Sequence, residues 1–264
     1  MLQGMKKAAL ACLVSVAGTV STLGLHAKCK SKAWEYNWDF RQPSALVNPN
    51  SSDEELEKKK SSTRRRLYLI RHGQYELDKE NDKEKVLTEL GREQAKCTGK
   101  YLSKLGVKYS EIVISTMTRA NETGEIILRE LSESGLEVLS DKFEIDKTDM
   151  LREGHPIDSV PHSRRFKPCS WEFTDGARIE AAFRKYFHRA HYSQKEDSYE
   201  IIVCHANVIR YLVCRAVQNP PEGWLRMSLA NGSITEIVLE PNGKVFISGI
   251  GDKGHMPTNM ISFT

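Results

Sequence analysis

Nowhere in the 264 residues do two cysteines stand as a C-x-x-C pair. The six cysteines, Cys12, Cys29, Cys97, Cys169, Cys204 and Cys214, also gather no histidines at zinc-ligand spacing, so a metal site is not expected. Cys204 ends the apolar run from Ile201, where a reduced, packed thiol belongs, and this argues for a reducing compartment. An excess of one charge is missing too. Lys and Arg number 39 against 35 Asp and Glu, a net charge of +4 with pI near 8.6. That balance suits an anionic ligand somewhere but excludes a nucleic-acid-binding composition. Three N-x-S/T triplets, at Asn50, Asn121 and Asn231, are read as chance rather than as marks of secretion.

Acidic residues are absent before Glu35. Lys6 and Lys7 precede an uncharged apolar run from Ala8 to Leu25, and Lys28, Lys30 and Lys32 follow it. About 18 such residues just span a bilayer as a helix. A cleaved signal peptide is the competing reading, but Leu25 stands where cleavage after Ala27 wants a small residue. The basic flanks also suit a mitochondrial targeting segment retained as the anchor. Residues 1–27 are therefore expected to be a targeting segment and membrane anchor, with its core at 8–25. Residues 28–65 read as a flexible linker, Ser-rich and without periodicity, with the acidic patch DEELE followed by KKKSSTRRR. One stretch breaks that pattern. Two tryptophans in WEYNWD, Trp34 to Asp39, find no core nearby, and an exposed pair of this kind predicts docking onto a protein surface.

From residue 66 to 264 the chain alternates between strand and helix signals. LYLI (Leu67–Ile70), IVIS (Ile112–Ser115) and IIVC (Ile201–Cys204) are apolar strands. Thr88 caps a helix that Gly106 ends, a second helix runs from about Thr118 to Ser134 ahead of Gly135, and a third from Gly176 to His191. Near the end, Pro241-Asn242-Gly243 marks a hairpin. The expected fold is α/β, a three-layer sandwich with a mostly parallel sheet between helices. Each apolar strand ends in polar groups: Arg71-His72-Gly73, Thr116-Met117-Thr118-Arg119, and His205-Ala206-Asn207. In such a sheet ligands bind at the carboxyl ends of strands, so these groups converge on one anion-binding crevice. Each piece alone is weak; their common position is the signal.

LYLIRHGQ, STMTRANET, LREGHP and VCHANVIRYLVCRA together resemble the histidine phosphatase (phosphoglycerate mutase-like) superfamily, from Leu67 to about Leu239. With the apolar N-terminus, WEYNWD, DGARIEAAFRKYFHRA and PPEGWLRMSLANGSIT, the chain is similar to that family's membrane-anchored mitochondrial serine/threonine phosphatases. The resemblance implies that His72 is the nucleophile that becomes phosphohistidine. Arg71 and Arg119 would grip the phosphoryl oxygens, with His205 as a further donor, protonated once phosphate binds, and Asn207 assisting. Glu153 would be the general acid and later the base. No cofactor or metal is implied, because arginine and histidine neutralise the phosphoryl charge. Trp34, Asn37, Trp38 and Asp39 would mediate self-association, although Glu35 replaces the Asp usual there. The implied partners are phosphoserine and phosphothreonine proteins and a mitochondrial membrane, the outer favoured over the inner.

The mutase continuation S-x-x-N is lacking after RHG, where Gln74-Tyr75-Glu76 stands, and so is the R-x-P of secreted acid phosphatases. Two alternatives stay open: a phosphatase of a small phosphometabolite, and a non-enzymatic membrane scaffold. The basic run Arg164-Arg165-Phe166-Lys167 mildly favours a large acidic partner. His188 and His191 are expected to face solvent on their helix, and His155 and His162 to be plain loop residues. The ETGE tetrapeptide at Glu122–Glu125 is expected inside a helix, unavailable as a loop ligand.

Overall fold

Leu67, Leu69 and Ile70 are wholly buried, as a strand covered on both faces requires. They belong to β1 (Arg65–Arg71) in a computed structural model that describes residues 33–163 and 172–264. The apolar segment 8–25 and the basic run at 164–167 lie outside the described residues. Among those described, no helix is long and apolar enough to cross a membrane.

Six strands form one sheet in the order β3-β2-β4-β1-β5-β6, with β2 at Tyr109–Ser115, β3 at Leu139–Thr148, β4 at Ser198–Cys204, β5 at Ile234–Leu239 and β6 at Val245–Asp252. The first four in that order run parallel; β5 runs antiparallel to β1, and β6, antiparallel to β5, returns to the direction of the first four. The expectation of a mostly parallel sheet is thus corrected to a mixed one. The cause is the connection before β5. It carries Gly232 back to the end of β1, where its N–H donates to the Arg71 carbonyl at 3.0 Å, so β5 starts there and runs the other way.

Helices α1 (Asp53–Lys58), α2 (Glu89–Ser103), α3 (Thr118–Glu133), α4 (Ala177–Tyr186) and α5 (Ala206–Ala216) complete the fold. Strand alternation sends Tyr68, Ile70, Ile112, Ile114, Ile201 and Val203 to one face, packed with Leu102 of α2 and Ile127 of α3. The opposite face presents Leu67, Leu69, Val113 and Ile202, all buried, on the side of the paired α4 and α5. Thr88 caps α2 by accepting from the Gly91 N–H, as its position predicts. ETGE lies inside α3, with Thr123 wholly buried.

Helix α4 stops at Tyr186, short of the expected His191, because the next residues turn inward. Phe187 and Ala190 are buried, and His188 packs against Arg65, its Nδ1 2.9 Å from the guanidinium. Burial and that charge push the His188 pKa down to about 4. A solvent-facing His188 is therefore corrected.

Residues Glu35–Thr264 form one compact unit, so order begins well before residue 66. The stretch expected as flexible linker holds α1, whose Ser52 and Glu55 make a reciprocal capping box. Asn37, Trp38 and Asp39 find their surface on the same chain. The Trp38 indole donates to the Gly243 carbonyl at 2.8 Å and its ring lies 5.7 Å from that of Phe183. Asn37 accepts from the Gln42 N–H at 3.0 Å, tightening the turn. Asp39 accepts from the Arg189 backbone N–H at 2.8 Å and from its guanidinium, and both side chains are almost fully shielded, at 0% and 3% exposure. Removing Asp39 leaves a buried guanidinium unpaired, so Asp39→Ala is expected to lower the unfolding free energy by about 3–5 kcal/mol in denaturant titrations. Burial pushes the Asp39 pKa up, but hydrogen bonds from Arg189 outweigh it and hold it below the usual value. Its contribution is present above the unfolded carboxylate pKa and is lost as pH falls through the lowered one.

Candidate active site

Parallel register sets the ends of three strands side by side. Arg71 lies opposite Cys204, and Ile114 opposite Val203. The His72 N–H continues the ladder to the Cys204 carbonyl at 3.0 Å. Gly73 then passes the start of α2 so closely that a Cβ on it would stand 2.4 Å from the Gly91 carbonyl oxygen. A Cβ on Gly91 would lie 1.9 Å from the Gln74 oxygen, so this crossing of two backbones requires both glycines.

His72 is 2% exposed, and its partners fix its tautomer. Nδ1 lies 2.8 Å from the Gly73 carbonyl, which can only accept, so Nδ1 carries the proton. Nε2 accepts from Arg119 Nε at 3.2 Å and therefore presents a lone pair. Burial, with Arg119 and Arg71 nearby, drives the His72 pKa well below its ordinary value, so the ring is neutral. That is the state a nucleophilic imidazole needs.

The His205 ring stands 5.0 Å from His72, centroid to centroid, at the cap of α5. Its Nε2 meets the Ser115 hydroxyl at 2.9 Å, while its buried Nδ1 has no hydrogen-bond partner. Burial and the neighbouring His72, Arg119 and Arg71 hold it neutral, and a bound dianion would act in the opposite sense. Arg71 donates to the Leu229 carbonyl at 2.6 Å, yet its buried Nε is unpartnered. Burial lowers its pKa to about 10, leaving it charged at neutral pH. Two unmatched buried nitrogens beside a neutral imidazole form a cradle suited to an anionic oxygen cluster.

Glu153 sits half-buried on the loop after β3. Burial raises its pKa above the usual carboxylate value, although Arg119, Arg71 and Arg210 pull it down. A clamp fixes this loop. Arg178, in the first turn of α4, donates to the carbonyls of Met150, Arg152 and Glu153 at 3.0, 2.6 and 3.2 Å, and pairs with Asp175 at 2.7 Å. Asp175 in turn accepts from the His155 N–H at 3.1 Å. The Arg178→Met protein is expected to lose roughly 10- to 100-fold in kcat on phosphoserine peptides while its KM stays near wild type, because the acid is misplaced and the cradle is not.

The family description "Histidine phosphatase superfamily (branch 1)" matches residues 67–249, more than half of the chain. The chain belongs to the histidine phosphatase superfamily. It is 51% identical over 240 residues to "Serine/threonine-protein phosphatase PGAM5, mitochondrial" of Xenopus laevis, covering 88% of this chain and 84% of that protein. The Homo sapiens protein of the same name is 51% identical over 239 residues, covering 87% and 80%. Among solved structures, phosphoglycerate mutase from Plasmodium falciparum is 29% identical with a TM-score of 0.51, covering 77% of this chain and all of that one. A phosphoglycerate mutase from Bacillus anthracis shares the fold at 18% identity, with a TM-score of 0.53 over 75% of this chain and 97% of that one.

Five of the residues singled out from the sequence, Arg71, His72, Arg119, Glu153 and His205, thus meet in this histidine phosphatase around one centre. Asn207 stands at the rim, where it donates to the Gly154 carbonyl and accepts from Arg210, each at 3.2 Å. Trp38 and Asp39 belong to the surface described above. Asn231 escaped sequence reading. It is wholly buried, donates to the His72 carbonyl at 3.3 Å, and accepts from Ser262 and from the backbone of Thr264. It lies in the quoted PPEGWLRMSLANGSIT stretch and heads a triplet read as chance, and neither pointed to a role behind His72. Arg178, in the first turn of α4, lies inside the quoted DGARIEAAFRKYFHRA stretch but was given no role there. Arg210 lies inside the quoted VCHANVIRYLVCRA stretch but was given no role there, and Asp82 lies in no quoted motif.

Proposed function

We propose that the chain is a protein serine/threonine phosphatase that works through phosphohistidine at His72 without a metal. The neutral His72 ring, with its Nε2 lone pair flanked by Arg71, Arg119 and His205, carries this reading. Nε2 attacks phosphorus while the serine or threonine oxygen departs with the proton of Glu153. The Glu153 carboxylate then takes a proton from water, the water oxygen attacks phosphorus, and the P–N bond breaks to release phosphate and neutral His72. About 50% identity to relatives named serine/threonine-protein phosphatases supports the substrate class.

The proposal includes a mitochondrial membrane, the outer favoured, reached through residues 8–25, with the catalytic unit in solution. The relatives are named mitochondrial. It also includes self-association through Trp34, Asn37, Trp38 and Asp39, because the groove that takes Trp38 and Asp39 on this chain is present on every copy. Purified protein is expected to release phosphate from phosphoserine and phosphothreonine peptides in excess chelator. Its kcat/KM should exceed that for phosphoglycerates, and the reverse order would move the activity to a small metabolite.

A further inference from the structure

Arg119 is the one cradle residue that a neighbouring acid already holds. Three of its five N–H groups contact protein: Nε to His72 Nε2 at 3.2 Å, Nη1 to an Asp82 carboxylate oxygen at 3.3 Å, and Nη2 to the Met117 sulfur at 3.7 Å. The Tyr75 ring lies beneath the guanidinium, 4.6 Å from its centroid. The other Asp82 oxygen accepts from the Thr118 N–H at 3.2 Å and its hydroxyl at 3.4 Å. Met117, the cap of α3, makes no side-chain cap hydrogen bond, so Asp82 supplies one to the Thr118 N–H from a separate segment. A single carboxylate thus occupies both a catalytic arginine and the start of the helix that carries it. These are the contacts a phosphoryl oxygen would make.

Asp82 is built to let go. It begins a three-residue 3-10 turn in the excursion between Tyr75 and Leu87, whose base is closed by a bridge between those two residues. Its side chain is 32% exposed against 5% for Arg119, so water can take up the carboxylate once it leaves. While it stays, Arg119 is held across the nitrogen that must attack.

We propose that Asp82 is a competing anion that sets the affinity of the site: substrate enters by displacing its carboxylate from Arg119 and Thr118. Apparent phosphate affinity is then lowered in proportion to the fraction of molecules in which Asp82 is engaged. The proposal rests on the reading of Arg119 and His72 as phosphate-handling groups.

The test titrates inorganic phosphate into the full chain and into Asp82→Asn by calorimetry, and compares both with p-nitrophenyl phosphate as substrate. Asparagine keeps an oxygen acceptor for the Thr118 N–H, so the helix cap survives and only the charge is lost. Phosphate is expected to bind Asp82→Asn about five- to tenfold more tightly, and KM to fall by a similar factor with kcat little changed. Unchanged or weaker binding overturns the proposal, as does a fall in kcat at constant KM, which would make Asp82 a positioning residue for Arg119. Phosphate bound by neither protein overturns the cradle itself together with the proposal. Phosphopeptides left uncleaved while phosphate binding tightens would remove only the substrate class proposed above.

Discussion

The His72→Ala protein is expected to release phosphate at a rate lower by at least about 10⁴-fold, because the reaction loses the atom to which phosphorus transfers and not merely a contact. The fold should survive. His72 is held by backbone hydrogen bonds to Cys204 and Gly232 that alanine keeps. His205 is the rival nucleophile, one ring away. Its Nε2 is taken up by Ser115 and its Nδ1 is buried, whereas His72 presents a defined lone pair toward the arginines. Rapid quench with labelled substrate should therefore place the phosphate on the peptide containing residue 72. Label on residue 205, or turnover surviving in the alanine variant, refutes the assignment. Because burial and two guanidiniums hold His72 neutral far into acid, its own titration should not reduce kcat/KM as pH falls through the ordinary imidazole range.

Glu153→Gln should produce the second largest loss, and an uneven one. An alkoxide leaves only with a proton, so phosphoserine peptides are expected to lose about 10²- to 10⁴-fold in kcat/KM. A nitrophenolate leaves unaided, so p-nitrophenyl phosphate should lose far less in the first step. The raised pKa of Glu153 fixes the sign with pH. Below that value the carboxyl is protonated and serves as acid; as pH rises through it, phosphopeptide cleavage falls. Glu153→Gln should lack this alkaline limb. Equal losses on both substrates would show that Glu153 acts on the cradle and not on the leaving group.

The strands that carry the site were legible because they are buried on both faces and so read as plain apolar runs ending in cations. Strand β3 was not. Its SDKFEIDKT stretch lies at the sheet edge, largely open to water, and its charges hide its period. The reversal of β5 also left no local mark, since a hairpin signal says nothing about which way its first strand enters a sheet. In the site, residues on short motifs could be named in advance. Asn231, Arg178 and Asp82 act through backbone atoms and distant segments brought together only by folding, and no spacing rule reports that. From WEYNWD the sequence called for a docking surface without showing that Trp38 and Asp39 pack against their own chain.

Asn231 heads an Asn-Gly-Ser triplet whose side chain is sealed behind His72 and roped to the last residues of the chain. Oligosaccharide is attached to extended chains, before such an amide is shut away. A sugar placed there would leave the nucleophile's support unable to close. Copies of the chain driven through the endoplasmic reticulum and glycosylated at Asn231 are therefore expected to be inactive, and an Asn231 left unmodified there should keep its activity.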